Sequence, residues 1–157
     1  MKVKLIYIGK TGKSFLVEGE KYYTEKVKKY IPFEVLELPD VKNAKSRTEN
    51  EIKELEGIAI LEKVKSSDYL VLLDENGKEY NSIDFSVYLQ KQFNSGNQVL
   101  IFVVGGPYGF SKQLYERANA KISLSKLTFS HQMVRMFFLE QLYRGLSILK
   151  NEPYHHQ

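Results

Sequence analysis

The residue pattern predicts an α/β fold with a mainly parallel sheet and helices on both faces. Three observations carry this. Short runs of β-branched and aromatic residues alternate with longer stretches whose apolar residues recur every three or four positions. Two of the short runs, Tyr69 to Leu73 (YLVLL) and Val99 to Val104 (VLIFVV), are apolar almost throughout, as strands covered on both faces are. The alternation continues along the chain without an internal repeat or a low-complexity segment.

The elements follow in order. Val3 to Ile8 (VKLIYI), ended by Gly9 and Gly12, reads as a buried first strand. From about Ser14 to Tyr30, Phe15, Leu16, Tyr22, Tyr23, Val27 and Tyr30 recur at helical spacing, and Pro32 stops the helix. Phe33 to Leu38 (FEVLEL) alternates as a strand and ends at Pro39; Asp40 to Arg47 is polar, aperiodic and linker-like. Ser46 with Glu49, or Thr48 with Glu51, offers a capping box to a helix whose face is Ile52, Leu55, Ile58, Leu61 and Val64. After the YLVLL strand, Asp74 to Asn81 reads as a loop turning at Asn76 and Gly77, followed by a helix with Phe85, Tyr88, Leu89 and Phe93 on one side. VLIFVV runs into GGPYGF, and a short helix through Tyr115 and Arg117 leads to Lys121 to Leu124 and the last helix.

That last helix, from about His131 to Leu149, is apolar around most of its circumference, which predicts burial on more than one side. It nevertheless carries His131, Arg135, Glu140 and Arg144, and burying ionisable groups is costly unless they are paired or face a site. An interface and a site are therefore expected together in this segment.

Composition bounds the possibilities. A chain of 157 residues is one domain's worth, enough to bury about two thirds of the surface its unfolded form exposes, so residues 1–157 are read as a single domain. The 43% hydrophobic and 27% charged residues are those of an ordered globular protein. The absence of cysteine excludes disulfides, thiolate nucleophiles and Cys-ligated zinc. Apolar stretches are too short to cross a bilayer, and MKVKLIYIGKTGKSF passes from strand-like into polar residues, unlike a signal peptide; a cytoplasmic protein away from membranes is expected. A net charge of +4, mostly from lysines, is compatible with nucleic acid without requiring it.

Ligands of open parallel sheets bind outside the carboxyl ends of the strands. That rule selects the loops Leu73 to Tyr80, Gly105 to Phe110 and Ser123 to Ser130, each with glycines, free backbone groups or hydroxyls for a small molecule. GGPYG is neither GxGxxG nor GxxxxGK[ST], so a dinucleotide or ATP site is disfavoured. Asp74 directly after a buried strand is either a ligand-binding carboxylate or a turn former. His131 is either a proton acceptor or a packed histidine; beside Arg135, Arg144, Tyr154, His155 and His156 the functional reading is the better one. His155 and His156 lack a partner carboxylate at a metal-binding spacing, so no metal is expected.

The segments LDENGKEYNSIDFS (73–86), FVVGGPYGF (102–110), SLSKLTFSHQMVR (123–135), EQLYR (140–144) and PYHH (153–156) resemble, in order and over the whole length, the signature segments of the ribosomal RNA large subunit methyltransferase H family. The resemblance implies a SPOUT-class domain with a deep trefoil knot near its carboxyl end, working as a homodimer. It implies transfer of a methyl group from S-adenosyl-L-methionine to N3 of a pseudouridine in the helix 69 loop of 23S rRNA on the assembled 70S ribosome. By motif position, the cofactor-contacting residues are Leu73, Gly105, Leu124, Ser125, Lys126, Leu127, Thr128 and Phe129. Leu127 departs from the methionine common in the family, an exchange of similar volume. The candidates for proton transfer and charge stabilisation are His131, Arg144, Tyr154 and His155, with Arg144 for electrostatic stabilisation or RNA contact and Tyr154 for orienting the base. Two alternatives stand beside this reading: the same fold acting on tRNA or another rRNA site, and a non-catalytic RNA- or ribosome-binding module.

Overall fold

A computed structural model describes residues 1–156. Five strands, β1 (Lys2–Ile8), β2 (Phe33–Leu38), β3 (Tyr69–Glu79), β4 (Val99–Val104) and β5 (Ala120–Ser123), alternate with α1 (Ser14–Lys28), α2 (Glu49–Leu61), α3 (Ser82–Phe93), α4 (Lys112–Arg117) and α5 (Met133–Leu149). The sheet order is β2-β1-β4-β3-β5 and every pairing is parallel. The expected α/β class is thus met.

The strand pleat sorts the core into two layers. Val3, Leu5, Val71, Phe102 and Val104 point to one face, where α1, α3 and α5 bring Val27, Phe85, Leu89, Phe138, Leu142 and Leu146. Ile6, Ile8, Leu70, Leu72, Ile101 and Val103 point to the other, against Ile60, Phe110 and Leu114 of the α2 and α4 side. Both faces being covered explains why YLVLL and VLIFVV lack alternation.

Three expectations are corrected. The stretch after YLVLL is not a loop: β3 continues to Glu79, and Leu73 and Lys78 both oppose Ile122, so Asp74 to Gly77 bulge out of the ladder. Gly77 serves close approach and not a turn, since a Cβ there would stand 2.6 Å from the Ile122 nitrogen. The strand β5, with which it pairs, has only four residues, too few for a period-two pattern to mark it in the sequence. On α2 the buried positions are Ile52, Glu56, Gly57 and Ile60, whereas Ile58 is exposed, so the inward face is rotated from the predicted one and carries a carboxyl. The capping expectation holds for Thr48, whose hydroxyl accepts from the Glu51 amide at 3.1 Å.

The helix α5 lies between α1 and α3 on the sheet, which buries it on three sides. Its remaining stripe, including Met133, Phe137, Gln141 and Arg144, stays partly open; Phe137 is 38% exposed and Phe15 on neighbouring α1 is 60% exposed.

The amino end of α5 is tied to the sheet by Arg135, which is 1% exposed. Its guanidinium donates to the carbonyls of Ile8 at 2.7 Å and Gly9 at 2.9 Å and to the Thr11 hydroxyl at 3.0 Å. It also lies 3.8 Å from the centre of the Tyr7 ring, and Thr11 donates onward to Glu20 at 2.9 Å. Replacing Arg135 by Ala strands these acceptors in the interior and should lower the unfolding free energy by about 3 kcal/mol or more. Arg135→Lys should recover less than half of that, because an ammonium lacks the planar fork. Urea denaturation of both variants checks this, and an Ala cost below about 1 kcal/mol would contradict it.

Candidate functional site

The chain leaves β3 for α3 on one face of the sheet and leaves β4 for α4 on the other. A crevice must open where the two exits part, above the carboxyl ends of these strands. A cleft of about 550 Å³ lies there. Its walls are the β3 bulge from Leu73 to Asn76, the Val104 to Phe110 segment, and the loop after β5 from Leu124 to His131 with Val134 behind it. The three segments selected from sequence therefore converge, the first of them as the bulge of β3 and not as a loop.

Leu73, Val104, Leu124, Leu127 and Phe129 supply apolar surface, while Gly105 and Gly106 present bare backbone. A Cβ on Gly105 would come within 3.2 Å of the Phe110 ring, and one on Gly106 within 2.8 Å of the Glu56 carboxyl, so a side chain at either position would require its neighbour to shift. The loop after β5 is held by short-range bonds. Ser123 Oγ donates to the Ser125 carbonyl at 2.9 Å, the Leu127 amide to Ser125 Oγ at 2.9 Å, and the Met133 amide to Ser130 Oγ at 3.1 Å, which starts α5.

The rim is acidic. Asp74 accepts from the Asn76 amide at 2.9 Å and from the Tyr115 hydroxyl, and Glu75 accepts from Thr128 at 3.3 Å. Burial and then the Asp74 carboxylate push the Tyr115 phenol far up, so it remains a donor. Among the described residues no Lys or Arg side chain lines the cleft. A polyphosphate has no counter-charge here; a nucleoside carrying a positive group suits both the apolar walls and the acidic rim.

Of the residues expected to contact a cofactor, Leu73, Gly105, Leu124, Ser125, Leu127, Thr128 and Phe129 line the cleft. Lys126 does not; its ammonium reaches Glu79 at 3.5 Å. His131 lines the cleft, and its pKa is held below the ordinary value first by burial, then by Arg135, against an opposing pull from Asp40. It is neutral at pH 7.

Arg144, Tyr154 and His155 are brought together elsewhere. Glu140 is their centre: Arg144 donates to its Oε1 from Nη2 at 2.5 Å and from Nε at 3.1 Å, and the Tyr154 hydroxyl donates to the same oxygen at 2.9 Å. Arg144 Nη1 is 3.0 Å from His155 Nδ1, and the guanidinium lies 4.8 Å from the centre of the Tyr154 ring. The hydrogen bonds that Arg144 donates to Glu140 hold its pKa up, and burial, then Glu140, push the Tyr154 phenol up. Arg144 stands three turns beyond Met133, roughly 16 Å along the helix at ~1.5 Å per residue, so within one chain this cluster is away from the cleft.

Tyr115 and Glu56 are the residues that sequence reasoning missed. Tyr115 comes from a six-residue helix whose spacing marks nothing. Glu56 sits on the rotated face of α2 behind Gly106, 7% exposed.

This parallel α/β sheet, with a cleft roofed by the loop leading into the last helix, belongs to a SPOUT methyltransferase. The family model described as "Predicted SPOUT methyltransferase" matches residues 1–155. Proteins named ribosomal RNA large subunit methyltransferase H from Christiangramia forsetii, Flavobacterium johnsoniae and Parabacteroides distasonis are 57%, 55% and 54% identical over 157 residues, the whole of this chain and of each relative. Among solved structures, a Legionella pneumophila protein titled as a methyltransferase with bound SAM superposes over 90% of this chain and 65% of its own at 10% identity and a TM-score of 0.49. The chain belongs to the ribosomal RNA large subunit methyltransferase H family of SPOUT methyltransferases.

Glu56 generates a pH prediction. Burial, then Asp40, raises its pKa from 4.5 to about 7, so the fold favours the neutral carboxyl. The stability linked to that preference is fully present below pH 4.5 and is lost as pH rises through about 7. Glu56→Gln, which is neutral at every pH, should match the parent in acid and exceed it above neutrality by on the order of 2 kcal/mol. Urea melts at either end of this range check it; a gain independent of pH would show that the carboxyl does not titrate as assigned.

Proposed function

We propose that this protein, as a single domain over residues 1–157, transfers a methyl group from S-adenosyl-L-methionine to N3 of a pseudouridine in the helix 69 loop of 23S rRNA on the assembled 70S ribosome. The observation that carries the reading is the phosphate-excluding cleft with an acidic rim. The relatives' names support large-subunit rRNA as substrate, and the five sequence segments support the particular base.

The residues fit the donor. Leu73, Leu124 and Leu127 would flank its adenine, backbone at Gly105 and along Ser125 to Phe129 would bond it, and Asp74 and Glu75 would face its cationic side. Bound there, the donor supplies a sulfonium methyl and a neutral thioether leaving group.

The chain's own residues position the acceptor and manage its proton. N3 of the base must lose a proton as the new bond forms, and the developing negative charge spreads over the imide oxygens. Neutral His131 at the cleft can accept a proton, and Arg144, held ionised and oriented by Glu140, can stabilise the imidate. Tyr154, fixed between Tyr143 (4.4 Å between ring centres) and Arg144, orients the base, with His155 beside it as a second proton acceptor.

These two groups meet if the protein is a homodimer in which one subunit's Arg144, Tyr154 and His155 complete the other's cleft. The open stripe of α5 with exposed Phe15 and Phe137, and Leu127 at the cleft mouth with 75% exposure, supports such a contact. The same reading includes a trefoil knot drawing the loop after β5 against the donor.

The reaction is tested by methyl transfer from labelled S-adenosylmethionine to 70S ribosomes lacking the mark, to free 50S subunits and to tRNA. Label on a helix 69 pseudouridine of intact ribosomes is expected. Label only on tRNA would overturn the substrate, and donor binding without any transfer would indicate a binding module. The shared site is tested by mixing Gly105→Val, which blocks the cleft, with Arg144→Ala. Each should be nearly inactive alone, and random subunit exchange should restore about a quarter of the intact sites. No recovery despite exchange would place each site within one subunit.

A further inference from the structure

Three lysines gather where α1 ends beside the end of α5. Lys26 lies in the last turn of α1, Lys29 caps it, and Lys150 caps α5. With Tyr30, Tyr143 and Glu152 they line a shallow groove of about 500 Å³. Among the described residues, the ion pairs of the chain involve none of these three lysines. The one carboxylate of the groove, Glu152, is engaged by the Tyr30 hydroxyl. Three lysines against one carboxylate leave the groove with net positive charge around tyrosine rings.

The groove is continuous with the Arg144 cluster. Tyr30 and Tyr143 have ring centres 6.0 Å apart, Tyr143 and Tyr154 4.4 Å, and Arg144 lies 4.8 Å from the Tyr154 ring centre. Aromatic faces thus lead from the lysines to the guanidinium. Lysines at phosphate-contacting positions with tyrosines between them are the chemistry that binds an unpaired nucleic-acid strand, charge tracking the backbone and rings stacking on splayed bases.

Resting on the reading of the protein as an rRNA methyltransferase, we infer that the groove of Lys26, Lys29, Tyr30, Tyr143 and Lys150 is an RNA-docking surface. It grips the single-stranded segment beside the target base and delivers that base to the Arg144 cluster. A groove lined from two helix ends is too short to follow a duplex, whose recognition spreads over successive grooves.

The test compares three full-length triple variants on 70S ribosomes lacking the methyl mark: K26Q/K29Q/K150Q, the charge-keeping K26R/K29R/K150R, and a control, K53Q/K63Q/K65Q, on and just after α2 across the sheet. The Gln triple should raise KM for ribosomes at least tenfold, with kcat within about twofold and S-adenosylmethionine affinity unchanged. It should also flatten the log–log salt dependence of RNA binding by about 2, at ~0.7 per lost contact to a single strand. The Arg triple should restore all of these, which a merely misfolded variant would not do. Tyr30→Leu should weaken binding while leaving the salt slope unchanged.

A Gln triple indistinguishable from the control, with the parent active, overturns the surface and leaves the proposed reaction standing. A parent inactive on ribosomes but binding a single-stranded oligonucleotide through these lysines supports the surface and overturns the substrate. Competition by polyglutamate as strong as that by RNA of equal charge would assign the groove to an acidic protein and overturn the RNA proposal.

Discussion

One buried guanidinium sets the relation between sheet and terminal helix. Arg135 uses two of its nitrogens on three oxygen acceptors at the end of β1 and lies on the Tyr7 ring. It thereby holds the first turn of α5 over the carboxyl edge of the sheet. The loop after β5 can then only run along that edge, which makes it the third wall of the cleft. The Gln132 side chain, accepting from the Gly12 amide at 2.8 Å, adds a second tie between the same two segments. Burying a charge without a directly bonded carboxylate is ordinarily unfavourable; here the carbonyl dipoles and the ring quadrupole replace water.

Charge is divided along α5 with a consequence for chemistry. Its amino end meets an acidic-rimmed cleft free of Lys and Arg among the described residues, and its carboxyl end carries Arg144 and neighbouring lysines. A cationic ligand and an anionic polymer are thus favoured at opposite ends of one rigid rod. Two carboxyls stand against glycine backbone beyond the ends of β1 and β4, Asp40 beside Gly9 and Glu56 beside Gly106.

Much of the fold could be read from residues because the signals were local. YLVLL and VLIFVV announce strands covered on both sides, and Thr48 announces a helix start through a bond to its own third neighbour. The loops at the sheet edge were legible too, since parallel strands force their carboxyl-end connections together. By contrast, DENGKE looks like a turn to any local rule, and it becomes strand only because β5, some forty residues later, pairs with it. Ile58 reads as core by spacing, yet α2 is rotated so that Glu56 points inward; nothing within the helix distinguishes the two settings.

The sequence by itself determined the class of fold, the order of most of its elements and the three segments that border the cleft, because periodicity, glycines and turn residues act within a few positions of themselves. Only the tertiary structure decided the roles of the charged groups. Arg135 looked like a site residue and is a staple, Lys126 turns away to Glu79, and His131 and Arg144 lie on one helix yet at separate places. The reason is physical: burial and pairing set the free energy of a charge, and both depend on contacts between segments far apart in the chain.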